Sequence, residues 1–137
     1  MKSHFIYALV LVLFLSSCSK SSIENDLVGN WEQLSVGHLE NTKITLQFKA
    51  DHNVYKTTIK PNSLKVDTGQ WSVKYNFSSK NTLIIENLEE VSDFKAQDHM
   101  NGTHLIHQLD EYLELQRTKF PDGSGNSAYK WSEFEKK

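Results

Sequence analysis

The chain has 137 residues, with 15 basic and 17 acidic side chains and a formal net charge of −2. This length fits one domain rather than two, and an apolar content of 38% argues against intrinsic disorder. The basic residues are almost all lysines scattered singly, with Arg117 as the only arginine. The sequence therefore lacks the clustered positive charge of a nucleic-acid-binding surface.

The N-terminal segment has the pattern of an export signal. An almost unbroken apolar run extends from Phe5 to Leu15. At about eleven residues it is too short to span a bilayer, which takes about 20, but it suits a secretory signal peptide. The run ends in Leu15-Ser16-Ser17-Cys18, which resembles the lipobox of bacterial lipoproteins. This resemblance implies that residues 1–17 are removed and that Cys18 is acylated with fatty acids of the palmitate kind.

The lipobox resemblance also implies a location. Cys18 is the only cysteine, so no disulfide is available and the lipid would anchor the chain to the bacterial cell envelope. Ser19 follows, where enteric bacteria place an inner-membrane retention aspartate, and this favours the outer membrane. Both the periplasmic face of the outer membrane and the cell surface are compatible with the sequence. Residues 18–26 are predicted to be a flexible tether, and residues 27–137 to be the folded domain.

From Trp31 onward, apolar and polar residues alternate, which predicts β-strands rather than helices. The clearest case is Ile44, Leu46 and Phe48, which are separated by polar residues. The predicted strands cover residues 31–36, 44–48, 54–60, 70–75, 82–86, 104–109, 112–118 and 128–134.

About eight short strands in series predict an all-β fold, a single up-and-down antiparallel barrel. If the strands alternate in direction, the long connections meet at one end of the barrel: Gly37–Thr42, Pro61–Thr68, Leu88–Gly102 and Lys119–Ser127. The short connections meet at the other: Asp51–Asn53, Asn76–Lys80 and Asp110-Glu111. This predicts a cup with a rim and a closed base. The interior of such a barrel is either filled by side chains or holds one small ligand.

Several short motifs resemble the lipocalin-like (calycin) lipoproteins of Bacteroidetes-type bacteria. They are Gly29-Asn30-Trp31, Leu46 to Asn53, Gly69-Gln70-Trp71-Ser72-Val73, the hairpin His104 to Leu115, and Tyr129-Lys130-Trp131. The resemblance implies a barrel with Gly29 and Trp31 as a fold motif at the closed base, where a basic side chain stacks over the tryptophan. Arg117 is predicted at the rim instead, so Lys136 or Lys130 is expected to cover Trp31.

The alternation predicts which side chains point inward. The expected interior consists of Leu46, Phe48, Tyr55, Ile59, Trp71, Val73, Tyr75, Leu83, Ile85, Leu113, Leu115 and Trp131. In one interpretation these side chains are simply the core. In the other they line an apolar pocket whose candidate ligand-binding residues are Phe48, Tyr55, Thr57, Trp71, Tyr75, His107, Leu113, Arg117 and Trp131. Thr57 and His107 would be polar fixtures, and Arg117 a clamp for an anionic head group.

The sequence contains no catalytic constellation, so we do not expect an enzyme. No serine stands in a nucleophile-elbow pattern, and no glycine-rich phosphate loop follows a strand. Glu89, Glu90 and Asp93 are predicted to lie on a solvated face. His104 and His107 are three apart on a strand and should point to opposite faces, so they would not chelate together. No metal and no cofactor are expected.

Two functions follow from these observations. The first is a lipid-anchored barrel that binds a small hydrophobic or amphipathic ligand at its rim end. The second is a protein-interaction module, such as an enzyme inhibitor, an immunity protein or an accessory envelope protein, that acts through its rim loops. The segment Ser124 to Lys130 resembles the loop that small bacterial lipoprotein inhibitors insert into lysozyme, so Lys119–Ser127 would carry that contact.

Overall fold

Eight strands are each hydrogen-bonded to the next, and the last pairs with the first to close a barrel. The computed structural model describes residues 22–34, 41–90 and 99–137, with the backbone alone for residues 126–130. Cys18 and the predicted signal peptide lie outside the described residues. The strands are β1 (Gly29–Gln33), β2 (Lys43–Phe48), β3 (Asn53–Lys60), β4 (Ser63–Lys74), β5 (Thr82–Glu86), β6 (Gly102–Leu109), β7 (Tyr112–Lys119) and β8 (Gly125–Lys136). All pairings are antiparallel, which confirms the predicted up-and-down barrel.

The alternation in β2 is reproduced in the barrel wall. Ile44, Leu46 and Phe48 are fully buried, and the polar residues between them are partly exposed. Because side chains along a strand point alternately to the two faces of the sheet, one face of this segment supplies the core and the other contacts solvent.

The β3–β4 connection differs from its prediction. A long connection was expected over Pro61–Thr68, but the turn comprises residues 61–62 alone and β4 begins at Ser63. The prediction was wrong because residues 63–68 lack a buried apolar face. They are held as a strand by register with β3, from the pair Lys60 and Ser63 to the pair Tyr55 and Thr68.

The two ends of the barrel are called the rim and the base. The rim carries the connections that follow β1, β3, β5 and β7, of which residues 34, 41–42, 61–62, 87–90, 99–101 and 120–124 are described, and the base carries 49–52, 75–81 and 110–111. The base also holds a short helix, α1, over residues 22–27. Its Ile23 packs against the core and its Leu27 is fully buried. Residues 22–26 were assigned to the tether by sequence, but they are part of the closed base.

The base is closed around Trp31. Its Nε1 donates a 2.8 Å hydrogen bond to the Leu27 carbonyl, and the Lys136 ammonium lies 5.1 Å from the ring centroid. Lys136, one of the two lysines expected to cover Trp31, also donates to the Asp26 carbonyl. Gly29 has a φ of 142°, and a Cβ there would lie 3.3 Å from the Lys136 Cε. The glycine is required because it adopts this backbone conformation and leaves room for the lysine.

The core extends from α1 through the barrel. The buried apolar cluster consists of Leu27, Trp31, Leu46, Phe48, Val54, Trp71, Leu83, Ile85, Leu88, Met100, Ile106, Leu113, Leu115 and Phe134. Toward the rim, buried polar side chains join the apolar ones on the inner face: Gln33, Lys56, Asp67, His104 and Arg117. The rim half of the interior therefore combines these polar side chains with Leu88 and Met100 of the core cluster.

Candidate functional site at the barrel mouth

Three of the predicted ligand-binding residues are part of the packed core. Phe48 and Leu113 are fully buried, and Trp71 is 2% exposed. The rings of Phe48 and Trp71 meet edge to face at 5.6 Å, and Trp71 Nε1 donates to the Lys49 carbonyl across the base turn. These contacts fill the lower half of the barrel, so the three side chains stabilise the fold there.

Four further candidates point away from the interior, so their predicted inward orientation is wrong. In β3 the buried residues are Val54 and Lys56, which places Tyr55, Thr57 and also Ile59 on the outer face. His107 bonds to Gln116 on the outer face of β7, and Trp131 is 47% exposed beside the His107 ring, with centroids 4.4 Å apart. His104 is buried inside, which confirms that His104 and His107 point to opposite faces.

Tyr75 lies at the base, away from the rim. It follows β4 and faces Glu24 of α1. Burial, followed by the charge of Glu24 and a hydrogen bond to it, raises the pKa of Tyr75 to about 12. Its contacts belong to the closure of the base rather than to a ligand site.

Arg117 is at the rim end of β7, as predicted, but it is already engaged by the protein. It is 2% exposed, its Nη1 donates to the His99 carbonyl at 2.7 Å, and its guanidinium lies 5.0 Å from the Phe120 ring centroid. Burial lowers the pKa of Arg117, although the nearby Glu90 carboxylate acts in the opposite direction. Arg117 therefore holds the two rim connections 87–101 and 120–124 against the barrel.

Glu90 is the centre of the polar layer, which corrects its predicted place on a solvated face. Its side chain is 5% exposed and lies 3.0 Å from Lys56 Nζ, whose side chain is 4% exposed. The same carboxylate accepts backbone hydrogen bonds from Met100 and Asn101. The exposed Glu89 fits the prediction, and Asp93 lies outside the described residues. A buried carboxylate with three donors is satisfied both in charge and in hydrogen bonding.

The two ends of the 87–101 connection are joined into one stem. The Leu88 amide and carbonyl bond to the side chain of Asn101 at 3.0 and 2.9 Å. Inside the barrel, His104 Nε2 lies 2.8 Å from the Met100 carbonyl. Since a carbonyl oxygen only accepts, this nitrogen carries the proton. Leu88 and Met100 are both in the core, so both ends of the stem pack into the barrel interior.

A small cleft remains between this stem and the β3–β4 hairpin, and we call it the mouth cleft. It has a volume of about 150 Å³ and is lined by Lys56, Thr58, Lys60, Ser63, Lys65, Asp67, Glu89, Glu90 and His99. Lys65 Nζ lies 2.9 Å from Asp67 Oδ1 and donates to the Glu89 carbonyl. The lining thus carries three lysines and three acidic residues, with two hydroxyl groups between them.

His99 is the unusual member of the lining. It is 6% exposed, and its Nδ1 is buried without a hydrogen-bond partner among the described residues. Buried polar atoms are normally hydrogen-bonded, because an unsatisfied one costs about 1–3 kcal/mol. The Nδ1 of His99 is therefore a buried polar atom in the cleft wall that no group of the described residues satisfies.

Sequence reasoning missed the mouth cleft because its residues are far apart in the chain. Lys56 and Glu90 are separated by 34 positions, and no local pattern relates them. One signal was present: Lys56 follows Val54 at the inward spacing of β3, where a buried lysine requires an acidic partner.

Two larger clefts lie elsewhere on the described residues: one of about 550 Å³ between β5, the start of β6 and the 120–124 turn, and one of about 260 Å³ beside Leu34 and Tyr112. Neither contains a buried charged pair such as Lys56 and Glu90. No group of three His, Cys, Asp or Glu side chains among the described residues is placed to hold a metal ion. Within the same residues, no helix has the length and apolarity needed to cross a membrane. Comparison with protein-family models finds none that matches the chain, and comparison with curated proteins finds no match. The function is therefore inferred from the chemistry of the mouth cleft.

Proposed function

We propose that this protein is a lipid-anchored envelope protein whose barrel binds a small amphipathic molecule by its zwitterionic head group, in the mouth cleft. The observation that carries the proposal is the orphaned Nδ1 of the buried His99 in a cleft lined by both signs of charge. Lys56 is paired with Glu90 and Lys65 with Asp67, so a head group with one cationic and one anionic centre would complement the other two charged side chains of the lining, Glu89 and Lys60.

The size of the cleft limits what enters it. A water molecule takes about 30 Å³ of liquid volume, so a cleft of about 150 Å³ accommodates a head group and excludes a long acyl chain. Below the cleft, the apolar core occupies the base half of the barrel. This supports a head-group site at the rim in place of the apolar pocket considered from sequence.

The anchor is supported by the sequence of the signal segment and by the position of α1. Residues 19–21 separate Cys18 from the start of the helix at the base. Four consecutive Cα–Cα steps reach at most about 14 Å, so an acylated Cys18 would keep the base near the membrane. The mouth cleft would then face away from the membrane that holds the anchor.

A titration of the soluble chain tests the ligand proposal. All the strand pairings and α1 lie within residues 22–137, so a chain beginning at Ser19 retains every described contact. The probes are dihexanoyl phosphatidylethanolamine, phosphoethanolamine without acyl chains, and the purely anionic octyl phosphate. We expect saturable calorimetric binding of the first, weaker binding of the second and little binding of the third. The first two probes distinguish an amphipathic ligand from a free zwitterion.

A matched pair of variants localises the binding. Lys60→Gln removes a charge from the mouth cleft at the rim. Lys74→Gln is the control, because it removes an exposed lysine at the base end of β4. A hydrogen bond to a charged group contributes about 1.5–3 kcal/mol, so Lys60→Gln should raise the dissociation constant roughly tenfold or more. Lys74→Gln should not change it. The proposal fails if no probe saturates, or if the two variants bind equally.

A further inference from the structure

The β3–β4 hairpin is longer than the part of β4 that pairs with β5, and among the described residues one edge of β4 has no neighbouring strand at the rim. β4 runs from Ser63 to Lys74, but it pairs with β5 only from Gln70 to Lys74. Over residues 63–69 it pairs with β3 alone. The backbone of Glu86 and Leu88 packs against Gly69, and the described part of the chain places no other strand beside residues 63–68. An unpaired strand edge is a template for a further strand.

The register of the hairpin shows which backbone groups face this edge. Lys60 and Ser63 flank the two-residue turn, and in such a hairpin the flanking pair is hydrogen-bonded. The backbone amides and carbonyls of the odd-numbered β4 residues therefore form hydrogen bonds with β3. The hydrogen bond from the Trp71 amide to the His52 carbonyl agrees with this register. The amides and carbonyls of Leu64, Val66 and Thr68 point outward, in the direction that β5 occupies further along the strand.

The side chains at this edge are also exposed and apolar. Leu64 is 67% exposed and Val66 is 53% exposed, beside Ile59 at 39%. In the register Leu64 lies opposite Ile59, and Val66 lies opposite Thr57, so all four share the outer face. Contiguous exposed apolar residues next to an unpaired edge are typical of a protein-binding surface.

We propose that this edge pairs with the same edge of a second copy of the chain, antiparallel about a two-fold axis at Val66. The charges of Lys65 and Asp67 favour a second copy as the partner at this edge, and they also determine the register of the pairing. With Val66 opposite Val66 of the second copy, each Lys65, which already pairs with Asp67 of its own strand, also lies opposite Asp67 of the second copy, so the four charges alternate in sign. Shifting the register by two residues in one direction sets Lys65 against Lys65, and in the other direction Asp67 against Asp67. Opposite charges across a strand pair are favourable and like charges are not.

The backbone is compatible with this register. Val66 pairs with Val66, and Leu64 pairs with Thr68 on each side of the axis, so every outward-facing group meets another outward-facing group. About six inter-chain hydrogen bonds result, two from each such pair. The interface is isologous, as expected of a two-fold dimer. Because the axis reverses the strand direction, the two bases point away from each other and the two rims lie together. Lys65 and Asp67 also line the mouth cleft, whereas the side chain of Val66 is on the outer face, so variants at Val66 test the dimer independently of the ligand proposal.

Cysteine cross-linking of the chain beginning at Ser19 tests the register. This chain lacks Cys18, the only cysteine, so any introduced thiol is unique. Residues directly opposite on hydrogen-bonded antiparallel positions have Cα atoms about 5.5 Å apart, within the range that a disulfide spans. Val66→Cys should therefore form a covalent dimer under mild oxidation, and Lys65→Cys and Asp67→Cys should form far less. Preferential cross-linking of either of the latter would overturn the register.

Charge exchange and a proline test the association itself by light scattering at increasing concentration. The unmodified chain should approach twice the monomer mass. Lys65→Asp should remain monomeric because the introduced carboxylate would face Asp67 of the second copy as well as the Asp67 that Lys65 contacts in its own chain, and adding Asp67→Lys should restore both pairs and the dimer. Val66→Pro removes an outward amide that β3 does not use, so it should abolish dimerisation, while Val66→Thr should retain it. Circular dichroism checks that each variant is folded. A wild-type chain that stays monomeric at all concentrations would overturn the proposal.

Discussion

At the scale of single residues, the fold strongly affects the ionisation of His104. It is fully enclosed in the barrel, and this burial lowers its pKa to about 4. The Met100 carbonyl opposes the shift by accepting its proton, and the charge of Arg117 adds to it. His104 is therefore neutral at physiological pH, which suits a polar layer that already contains Arg117 and Lys56.

This pKa predicts a loss of stability in mild acid. Between pH 6.5 and 4, His104 is protonated in the unfolded chain but remains neutral in the folded chain. The free energy of unfolding therefore falls as the pH falls. With 1.36 kcal/mol for each pKa unit, the contribution lost by pH 4.5 is about 2–3 kcal/mol. Urea unfolding at pH 7 and 4.5 measures it. His104→Gln should show a pH dependence smaller by that amount, whereas His107→Gln on the outer surface should behave as the wild type. Equal pH dependence in all three proteins would contradict this assignment.

At the scale of elements, the stem of the 87–101 connection is held by one buried ion pair. Glu90 binds Lys56 of β3 and the amides of Met100 and Asn101. The pair joins the connection to the β3–β4 hairpin and so forms one wall of the mouth cleft. Removal of one partner leaves a buried charge without compensation, which is costly even where the intact pair adds little net stability.

We therefore expect Glu90→Gln to lower the free energy of unfolding by about 3–5 kcal/mol. The neighbouring Glu89→Gln is the matched control, because Glu89 is exposed and surface changes usually stay within about 0.5 kcal/mol. Combining Glu90→Gln with Lys56→Met removes both charges and should recover part of the loss. Urea titrations of the four proteins provide the comparison. Similar costs for Glu89→Gln and Glu90→Gln would show that the pair does not hold the stem.

The same elements show how far the sequence determines the structure. β2 was predictable because each inward residue is apolar and each outward residue is polar. β3 was not, since its inward face contains Lys56 and its outward face contains Tyr55 and Ile59. The alternation with a period of two residues predicts that β3 is a strand. It does not predict which face points inward, because Lys56 is buried through its ion pair with Glu90, which is far away in the sequence. The closing strand shows the same limit: Phe134 is inward and Trp131 outward, as set by pairing with Leu113 and Gln116.

At the scale of the whole molecule, the two ends of the barrel have different chemistry. The base is apolar and closed by α1 and Trp31, whereas the rim carries the mouth cleft and the unpaired edge of β4. The proposed anchor joins the chain at the base, through residues 18–21. Both proposed binding surfaces would therefore face away from the membrane, where a ligand or a second copy is accessible.

This orientation predicts a difference in distance from the membrane between two exposed turns. Ser78 lies in the base connection and Asn62 at the tip of the β3–β4 hairpin, separated by the 12 residues of β4, or about 40 Å along the strand. In vesicles carrying the acylated protein, a donor dye on Ser78→Cys should transfer energy to acceptor-labelled lipid head groups more efficiently than one on Asn62→Cys. The acylated Cys18 leaves no competing thiol, and the chain beginning at Ser19 gives the background. Equal or reversed transfer would mean that the base does not face the membrane, and the accessibility of the mouth would then need a different explanation.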